Sequence, residues 1–481
     1  MSTTRLAGRR RAYKSTELME NTRRMSISKI WAWLLGLVVL VAIGFLVACG
    51  STYSSSSDGL ILVTSRGAGL IQTFSFSLAS GHAASVQNST NDTANQVCVL
   101  NGTPSSIVID PAGAYAYTIL TPDSTDCTGS NAITAPGIAA FKVNSNGTTT
   151  QVGQLTAFAQ ANVGVCINDT IVFEPVAANP STLVMDSTGK FLYVADSSTV
   201  DANGVAAPGA ISVFAIGSGG SLTEVTGSPF TVPPSCTAPP TNIAAVAVTP
   251  TAPPPLLFGQ SQSVCSAPSP FPTSEYLYAI DSNFNGGVWE FAVNSSTGVL
   301  SAPPGFTAPQ YMPAGGTPMG VTVDPCERFV YVSNYTSNNV SAFRICTSLT
   351  TTTVPPCPSD NGQLFAITGS PFSVSNGAQG PGPLLVDVYG NYLYVLDTLS
   401  NTISPFHISA VGGNLTLMSP ATVATGQGAT AIAIRTDDDW MFVTDKIAAT
   451  VSQFAIAPAT GALSPQTPLT TDNYPLGIAV K

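Results

Sequence analysis

Two histidines are the first candidates for acid–base chemistry, because histidine is the side chain that ordinarily titrates near neutral pH. His82 follows Ser80-Gly81 in a predicted turn between two strands. His407 takes a place in a recurring strand where other copies have Ala215 or Ala292, which predicts an exposed position. There is no glycine-rich phosphate loop, zinc-type Cys-x-x-Cys or nucleophile elbow. We therefore assign no catalytic residue, and whether the chain is an enzyme stays open.

Two acidic features could in principle bind a metal ion. One is the run Asp437-Asp438-Asp439, which replaces a tight turn of other repeats. The other is a set of residues that end recurring strands: Asp196, Asp281, Asn334, Asp397 and Asp445. Calcium needs several oxygens that converge on one point, whereas these residues come from different repeats. Each is expected to accept hydrogen bonds from its own turn, so we predict no metal ion and no cofactor.

Charge divides the chain into two unequal parts. Eight of the 16 basic residues and only two of the 26 acidic residues precede Cys49. From Cys49 onward, 8 basic residues face 24 acidic residues, a net charge of −16. The basic residues of this part are scattered over different repeats: Arg66, Lys142, Lys190, Arg328, Arg344, Arg435, Lys446 and Lys481. A nucleic-acid partner is not expected, since it would require a basic stripe.

The N-terminus has the pattern of an export signal. Lys29 precedes the uncharged stretch Ile30–Ala48, and Leu46-Val47-Ala48-Cys49 closes it. This end resembles the bacterial lipobox, in which the cysteine is acylated and becomes the new N-terminus. Residues 1–49 are then a signal peptide, with Met25 as an alternative start, and 50–59 a Ser-rich tether. The alternative is an uncleaved anchor, because 19 apolar residues could span a bilayer.

Residues 60–481 repeat one phrase. Leu183-Val184-Met185-Asp186 leads through a turn into Phe191–Asp196, and Val321–Asp324 leads likewise into Phe329–Asn334. A third apolar run of constant shape follows each phrase and occurs seven times, at 71–74, 138–141, 211–214, 288–291, 340–343, 403–406 and 451–454. Short β-branched and aromatic runs between turn residues indicate antiparallel strands. Four such strands in about 50 residues, repeated, predict an all-β fold, a seven-bladed β-propeller.

The two ends of the repeat region predict how the ring closes. Pro475–Val480 matches a first strand, after which the sequence stops, whereas Leu60–Ser65 matches a second strand that lacks a first. The C-terminal strand should therefore complete the N-terminal blade and remove two open edges. The largest insertions between strands are expected to be loops: Ser85–Thr103, Thr121–Pro136, Ala157–Asn179, Pro250–Ser274 and Cys346–Asn361.

Eight cysteines remain when Cys49 is assigned to the lipid, an even number that predicts disulfides in an exported chain. Alternate loops of a propeller open on opposite faces of the disc. Cys98, Cys127, Cys166 and Cys236 map to one face, and Cys265, Cys326, Cys346 and Cys357 to the other. We expect bridges within each set. Cys346 with Cys357 is the favoured pair, which leaves Cys265 for Cys326, and the pairing on the first face stays open.

The recurring phrases YVAD, YVSN and YVLD, with Gly227-Ser228-Pro229-Phe230 and Gly369-Ser370-Pro371-Phe372 at blade ends, carry a family resemblance. They resemble the bacterial seven-bladed lactonase-like propellers, which include 6-phosphogluconolactonase relatives and YVTN-repeat surface proteins. The resemblance covers about residues 60–481. It implies the fold and, as one possible activity, hydrolysis of a lactone.

Two functions remain open on this evidence. One is a monomeric binding or scaffold protein, lipid-anchored at the cell envelope through Cys49, that presents loops to an envelope protein or glycan. Gly50, in place of Asp after the cysteine, resembles the pattern of lipoproteins that are sent to the outer membrane. The alternative is a lactonase-like hydrolase of an extracytoplasmic lactone. Small or apolar residues at the predicted channel entrance favour binding, among them Ser105, Ser106, Thr182 and Thr430.

Overall fold

The computed structural model describes residues 59–481 except 68, 78–81, 87–99, 101, 123–132, 168–169, 177, 198, 201–205, 234–240, 251–273, 348–359 and 436. For the strand residues 82, 161–167, 170–176, 199–200 and 206–207 it describes the backbone only. The predicted signal, Cys49 and the tether as far as residue 58 lie outside the described residues. Within them, no helix is long and apolar enough to cross a membrane.

Seven antiparallel sheets, or blades, follow one another along the chain, which confirms the predicted fold class. The first strand of each repeat is innermost. From blade 2 to blade 7 and then blade 1, the innermost strands are β4 (Thr103–Ile109), β10 (Pro180–Met185), β17 (Ile243–Val248), β22 (Pro318–Val323), β27 (Pro381–Val386), β32 (Ala429–Ile434) and β37 (Pro475–Val480).

Second and third strands follow outward in every blade. From blade 1 to blade 7, the second strands are β1 (Gly59–Ser65), β5 (Tyr115–Thr121), β11 (Phe191–Asp196), β18 (Glu275–Asp281), β23 (Phe329–Asn334), β28 (Tyr392–Asp397) and β33 (Trp440–Asp445). The third strands are β2 (Leu70–Ser77), β6 (Gly137–Val143), β14 (Ala210–Ile216), β19 (Gly287–Val293), β24 (Asn339–Ile345), β29 (Thr402–Ile408) and β34 (Thr450–Ala457).

Among the described residues, the outer strand is a single segment in blades 1 and 2 and is divided in the other five, where one fourth strand was expected. The first outer segments are β3 (His82–Ser85), β7 (Thr149–Ala157), β15 (Leu222–Glu224), β20 (Leu300–Ser301), β25 (Leu364–Ala366), β30 (Leu415–Leu417) and β35 (Ala462–Pro465). The second segments are β16 (Phe230–Thr231), β21 (Gln310–Pro313), β26 (Phe372–Ser373), β31 (Val423–Ala424) and β36 (Leu469–Thr470).

The Gly-Ser-Pro-Phe phrase explains two of these divisions. Gly227 has a φ of 90°, which glycine adopts without strain and which turns the outer strand aside. The Oγ of Ser228 then accepts the N–H of Val213 at 2.9 Å, in place of the missing ladder bond. Ser370 does the same for Ala342 at 2.9 Å. The phrase is therefore a scaffold element, because it satisfies backbone groups that the divided strand leaves open.

The ring closes as the sequence predicts. Strand β37 pairs antiparallel with β1, so that Leu62 faces Ala479 and Val63 faces Ile478. Each innermost strand contacts the innermost strands of both neighbouring blades, around a complete circle. The hydrophobic core lies between adjacent blades and includes, for example, Tyr193 of blade 3 and Leu277 of blade 4.

A recurring tyrosine ties successive blades together. It belongs to the second strand, and its hydroxyl donates to a glycine carbonyl in the turn between the third and fourth strands of the next blade. The bonds from Tyr331 to Gly413 and from Tyr394 to Gly461 measure 3.0 and 2.8 Å. The bond from Tyr278 to Gly362, at 2.7 Å, matches these two, with its tyrosine and its glycine at the same repeat positions. At these three blade junctions the tyrosine is thus a structural residue, whereas the hydroxyl of its counterpart Tyr193 is buried without a hydrogen-bond partner.

Two insertions contain hairpins, although Ala157–Asn179 was expected to be a loop. Strands β8 (Ala161–Ile167) and β9 (Thr170–Val176) pair within it. Strands β12 (Thr199–Val200) and β13 (Ala206–Ala207) pair between the second and third strands of blade 3. The two hairpins contact each other through β8 and β13. A 3-10 turn, Ser218–Gly220, precedes β15.

Candidate binding face

The disc has two chemically different faces. The turns between second and third strands and the connections between blades open on one, which we call the first face. The turns between first and second strands, and between third and fourth strands, open on the second face. The side chains that the sequence singled out divide between these faces and the central channel.

The strand-end acids of the first face hold their own blades together. Asp397 Oδ2 accepts the hydroxyl of Ser404 at 2.7 Å, and Asp445 Oδ2 accepts that of Ser452 at 2.7 Å. Asp196 Oδ2 likewise accepts the hydroxyl of Ser212 at 2.6 Å. In each case the hydrogen-bond donor is a serine of the third strand, whereas we expected the donors to come from the acid's own turn. Its signal was visible in the sequence as the recurring serine of Ile-Ser-Val-Phe and its copies.

These acids are buried, and burial changes their ionisation. Desolvation raises the pKa of Asp196 to about 7, against the opposing effect of the hydrogen bond from Ser212. Desolvation also raises the pKa of Asp397 to about 7, opposed by Ser404. Asp281 has Trp289 where blades 3, 5, 6 and 7 have serine, and accepts instead the backbone N–H of Asn242 at 3.0 Å.

Acids of the second face serve the turns between first and second strands. Asp387 Oδ1 accepts the backbone N–H groups of Asn391 and Tyr392 at 2.6 and 2.8 Å. Asp437 pairs with Arg435 at 2.9 Å. Asp438 is buried, and desolvation, then the charge of Asp387, raises its pKa to about 8. In the described part of the chain, no three His, Cys, Asp or Glu residues converge as a metal site would require.

Neither histidine lies at the channel. His407 is exposed on the third strand of blade 6, with its ring 5.9 Å from that of Tyr392. This confirms the predicted surface position. His82 begins the outer strand of blade 1, opposite Ser77, so the prediction that it lies in a connecting turn was wrong. The strand starts one residue earlier than the Ser-Gly-His sequence indicated.

The predicted channel residues lie on innermost strands, where all are half-buried. Thr430 donates to the carbonyl of Pro475 at 3.3 Å, and Thr182 to that of Ala244 at 3.3 Å. The Oγ of Ser106 accepts the N–H of Leu183 at 3.3 Å. Because these hydroxyls join neighbouring innermost strands, their first role is to hold the ring together. The Oγ of Ser105 is buried without a hydrogen-bond partner.

A group of exposed apolar side chains distinguishes the first face. Eight large apolar residues of the described chain are exposed, and five of them lie at this face. Phe284 is 72% exposed, Ile447 63%, Leu399 59%, Tyr474 53% and Met319 42%. We call these five residues the crown. They occupy blades 4, 5, 6, 7 and 1, and exposed apolar groups gathered on one side of a soluble domain mark interaction sites.

Backbone hydrogen bonds fix the turns that carry the crown. Leu399 N–H donates to the carbonyl of Gln379, and Ile447 N–H to that of Gln427, each at 3.1 Å. In blade 1, Gly67 N–H donates to the carbonyl of Asn473 at 3.1 Å. Each turn is thus bound to the connection that enters its own blade.

Left-handed backbone marks the residue that ends the connections into blades 5, 6, 7 and 1. Gly380 and Gly428 have φ of 66° and 76°, as glycine allows. Thr317 and Tyr474 adopt φ of 54° and 59° at the same place, although bulky residues rarely do so. Strain of this kind persists only where the surroundings enforce it, so these entrances to blades 5 and 1 are firmly held.

Sequence reasoning missed the crown. The signal was an apolar residue one to three places after a strand-end Asp or Asn, as with Phe284, Tyr335, Leu399 and Ile447. The turns of blades 4, 5 and 6 at this face, residues 282–286, 335–338 and 398–401, contain no charged residue. In these three blades the crown is therefore locally neutral, whereas the turns of blades 7 and 1 each contain one basic residue, Lys446 and Arg66.

Two cysteines lie among residues whose side chains are described. Cys326 and Cys346 are buried on the second face, and both are disulfide-bonded. Their pairing, with Cys265 and Cys357, stays a prediction, because those two residues lie outside the described part, as do Cys98, Cys127 and Cys236. Cys166 lies in β8, where only the backbone is described.

The basic residues stay scattered, as predicted. Arg328 pairs with Asp324 at 2.7 Å, and Arg344 is buried beside the ring of Phe365. Burial lowers the pKa of Arg344. Lys481 reaches the carbonyl of Gly113 at 3.5 Å on the second face.

The architecture defines a seven-bladed β-propeller whose first face is its exposed apolar face. Residues 361–475, which form part of blades 5 to 7 and the connection into blade 1, match the family model described as lactonase, 7-bladed β-propeller. No curated protein is similar enough in sequence to match the chain.

Solved structures agree on the fold. A candidate 6-phosphogluconolactonase of Bacteroides fragilis is 18% identical over 90% of this chain and 100% of its own, with a TM-score of 0.58. The periplasmic gluconolactonase of Pseudomonas aeruginosa is 16% identical over 88% of this chain and 98% of its own, with a TM-score of 0.59. At such identities the likeness concerns the fold alone.

Proposed function

We propose that the protein is a binding protein of the cell envelope and that the crown is its recognition surface. The observation that carries this proposal is the exposure of Phe284, Leu399 and Ile447 at turns that backbone hydrogen bonds hold in place. Covering apolar surface stabilises a complex by about 25 cal/mol per Å² removed from water. Fixed turns lose little conformational freedom on binding, so more of that free energy appears as affinity.

The proposed location rests on the N-terminal sequence. Acylation of Cys49 would tether the propeller to a membrane, and residues 50–58 would connect it to β1. The periplasmic location named for the Pseudomonas aeruginosa gluconolactonase supports an extracytoplasmic site. Changing Cys49 to Ser should abolish acylation and release the protein from membranes in a fractionation. A Cys49→Ser protein that is still cleaved and membrane-bound would contradict the lipid anchor.

A second candidate is a lactonase-like hydrolase, favoured by the family match over residues 361–475. Lactone hydrolysis needs a base that activates water and donors that stabilise the oxyanion. Its test is a panel of sugar lactones, assayed with and without divalent cations. Turnover that disappears on mutation of a channel-facing residue would establish this activity.

The binding proposal is tested with a crown variant. Residues 50–481, which include the whole closed ring, are mixed with isolated envelope fragments and the bound fraction is measured by sedimentation. The triple variant Phe284→Ser, Leu399→Ser and Ile447→Ser should lose at least tenfold in binding. The matched control is Val411→Ser, which removes an 86% exposed apolar residue from the second face. Equal binding of both variants would overturn the proposal.

A further inference from the structure

The crown residues are accompanied by exposed side-chain amides. Phe284 is followed directly by Asn285, and Tyr474 is preceded directly by Asn473. All four of these side chains are exposed. A primary amide both donates and accepts hydrogen bonds, so each pair places such a group beside an apolar one.

Two further pairs arise from the fold and not from adjacent residues. Leu399 is bonded through its N–H to the carbonyl of Gln379, and Ile447 through its N–H to that of Gln427. Gln379 and Gln427 are exposed and have no side-chain hydrogen bond to the described residues. An amide–apolar pair therefore stands at four places on the first face, in blades 4, 6, 7 and 1.

We propose that the crown binds an uncharged polysaccharide, an inference that rests on the proposed binding function. Sugar rings combine apolar C–H faces with hydroxyl groups, which suit an apolar side chain beside an amide. Blades 6, 7 and 1 are consecutive, so the pair recurs from blade to blade. A polymer of repeating units can contact several pairs at once, which raises its affinity without any new type of contact.

Charge and composition disfavour the other classes of partner. Binding to an anionic lipid surface relies on clusters of Lys and Arg beside apolar residues, whereas the first-face turns of blades 4 to 7 and blade 1 contain two basic residues in all, Lys446 and Arg66. Protein interfaces draw most of their affinity from Trp, Tyr and Arg, and the crown contains only one of these, Tyr474. An acidic polysaccharide would be repelled by a chain of net charge −16 from Cys49 onward.

The test compares neutral and acidic polysaccharides with variants that remove only the amides. Residues 50–481 are titrated with soluble β-glucan, mannan and starch as neutral probes, and with polygalacturonate as the acidic one. At least one neutral probe should bind. The double variant Gln379→Leu and Gln427→Leu keeps the apolar surface and should weaken that binding at least fivefold. Gln154→Leu, an exposed amide on the outer strand of blade 2, should leave it unchanged.

The outcomes separate this inference from the function on which it rests. If no neutral probe binds, or the amide variant binds as well as the parent, the polysaccharide inference is wrong. Binding to envelope fragments that survives periodate oxidation of their glycans but is lost on protease treatment would indicate a protein partner and leave the binding function intact. If the triple crown variant also binds envelope fragments normally, both proposals fall.

Discussion

Individual acids in this protein show how a residue type that recurs at one repeat position can be structural. Asp397 is fully buried, and one of its oxygens takes hydroxyls from Ser404 and Thr402 at 2.7 and 3.3 Å. Its other oxygen has no hydrogen-bond partner. The same pattern at Asp196 and Asp445 explains why acids at these strand ends recur without forming a metal site.

Ser404→Ala tests the Asp–Ser pair. Removing the hydroxyl leaves a buried carboxyl group with less compensation, and losses of this type cost about 1–3 kcal/mol. Urea denaturation at pH 7 should show a lower free energy of unfolding by about that amount. Ser464→Ala is the control, because Ser464 is exposed on an outer strand. Equal stability of the two variants would show that the pair is dispensable.

At the scale of elements, the turns explain what the sequence could and could not predict. The strand order and ring closure were predictable because every blade repeats its β-pattern, and Pro475–Val480 reads as a first strand without followers. The left-handed conformation of the turn residues Glu327 and Asp438 was not predictable. They adopt φ of 54° and 62° where Gly189 and Gly390 have 70° and 71°, and only glycine was recognisable as a turn signal.

The crown escaped prediction for a different physical reason. Whether Leu399 or Ile447 is buried depends on the neighbouring connection and not on the residue's own strand pattern. Tyr335, in the corresponding turn of blade 5, is half-buried, whereas Leu399 is 59% exposed. The local sequence predicts an apolar turn residue at both positions. Their different exposure follows only from the packing of the neighbouring connections in the folded protein.

The tyrosine between blades allows a test at this scale. Tyr331→Phe leaves the carbonyl of Gly413 without its donor, which should cost about 1–3 kcal/mol because the bond is buried. Thermal unfolding should then occur at a lower temperature. Tyr193→Phe is a matched control, since the hydroxyl of Tyr193 is buried without a partner and its removal should be neutral or stabilising. A larger loss at Tyr193 would contradict the assignment.

At the scale of the whole molecule, buried acids make stability depend on pH. Desolvation raises the pKa of Glu290 and Glu327 to about 8 and that of Glu275 to about 7. Desolvation likewise raises the pKa of Asp387 to about 6. Such groups keep their protons in the folded state at pH values where the unfolded chain, with carboxyl pKa values near 4, has lost them.

The folded protein should therefore be most stable in acid and lose stability as the pH rises from about 4 to about 8. Scanning calorimetry at pH 5 and pH 8 should show the lower unfolding temperature at pH 8. The variant Glu327→Gln removes a buried ionisable group and should reduce the difference. An unfolding temperature that rises between pH 5 and pH 8 would contradict the predicted ionisation of these groups.

The role of the crown is tested most directly by hydroxyl-radical footprinting of the unmodified protein, alone and bound to envelope fragments. This measurement reports the exposure of each side chain without any mutation. Phe284, Met319, Leu399, Ile447 and Tyr474 should be oxidised several-fold more slowly in the bound protein. Val411, Tyr311 and Leu417, which are exposed elsewhere, should react at unchanged rates. Protection of Val411 with no protection of the crown would show that the partner binds another surface and would contradict the account.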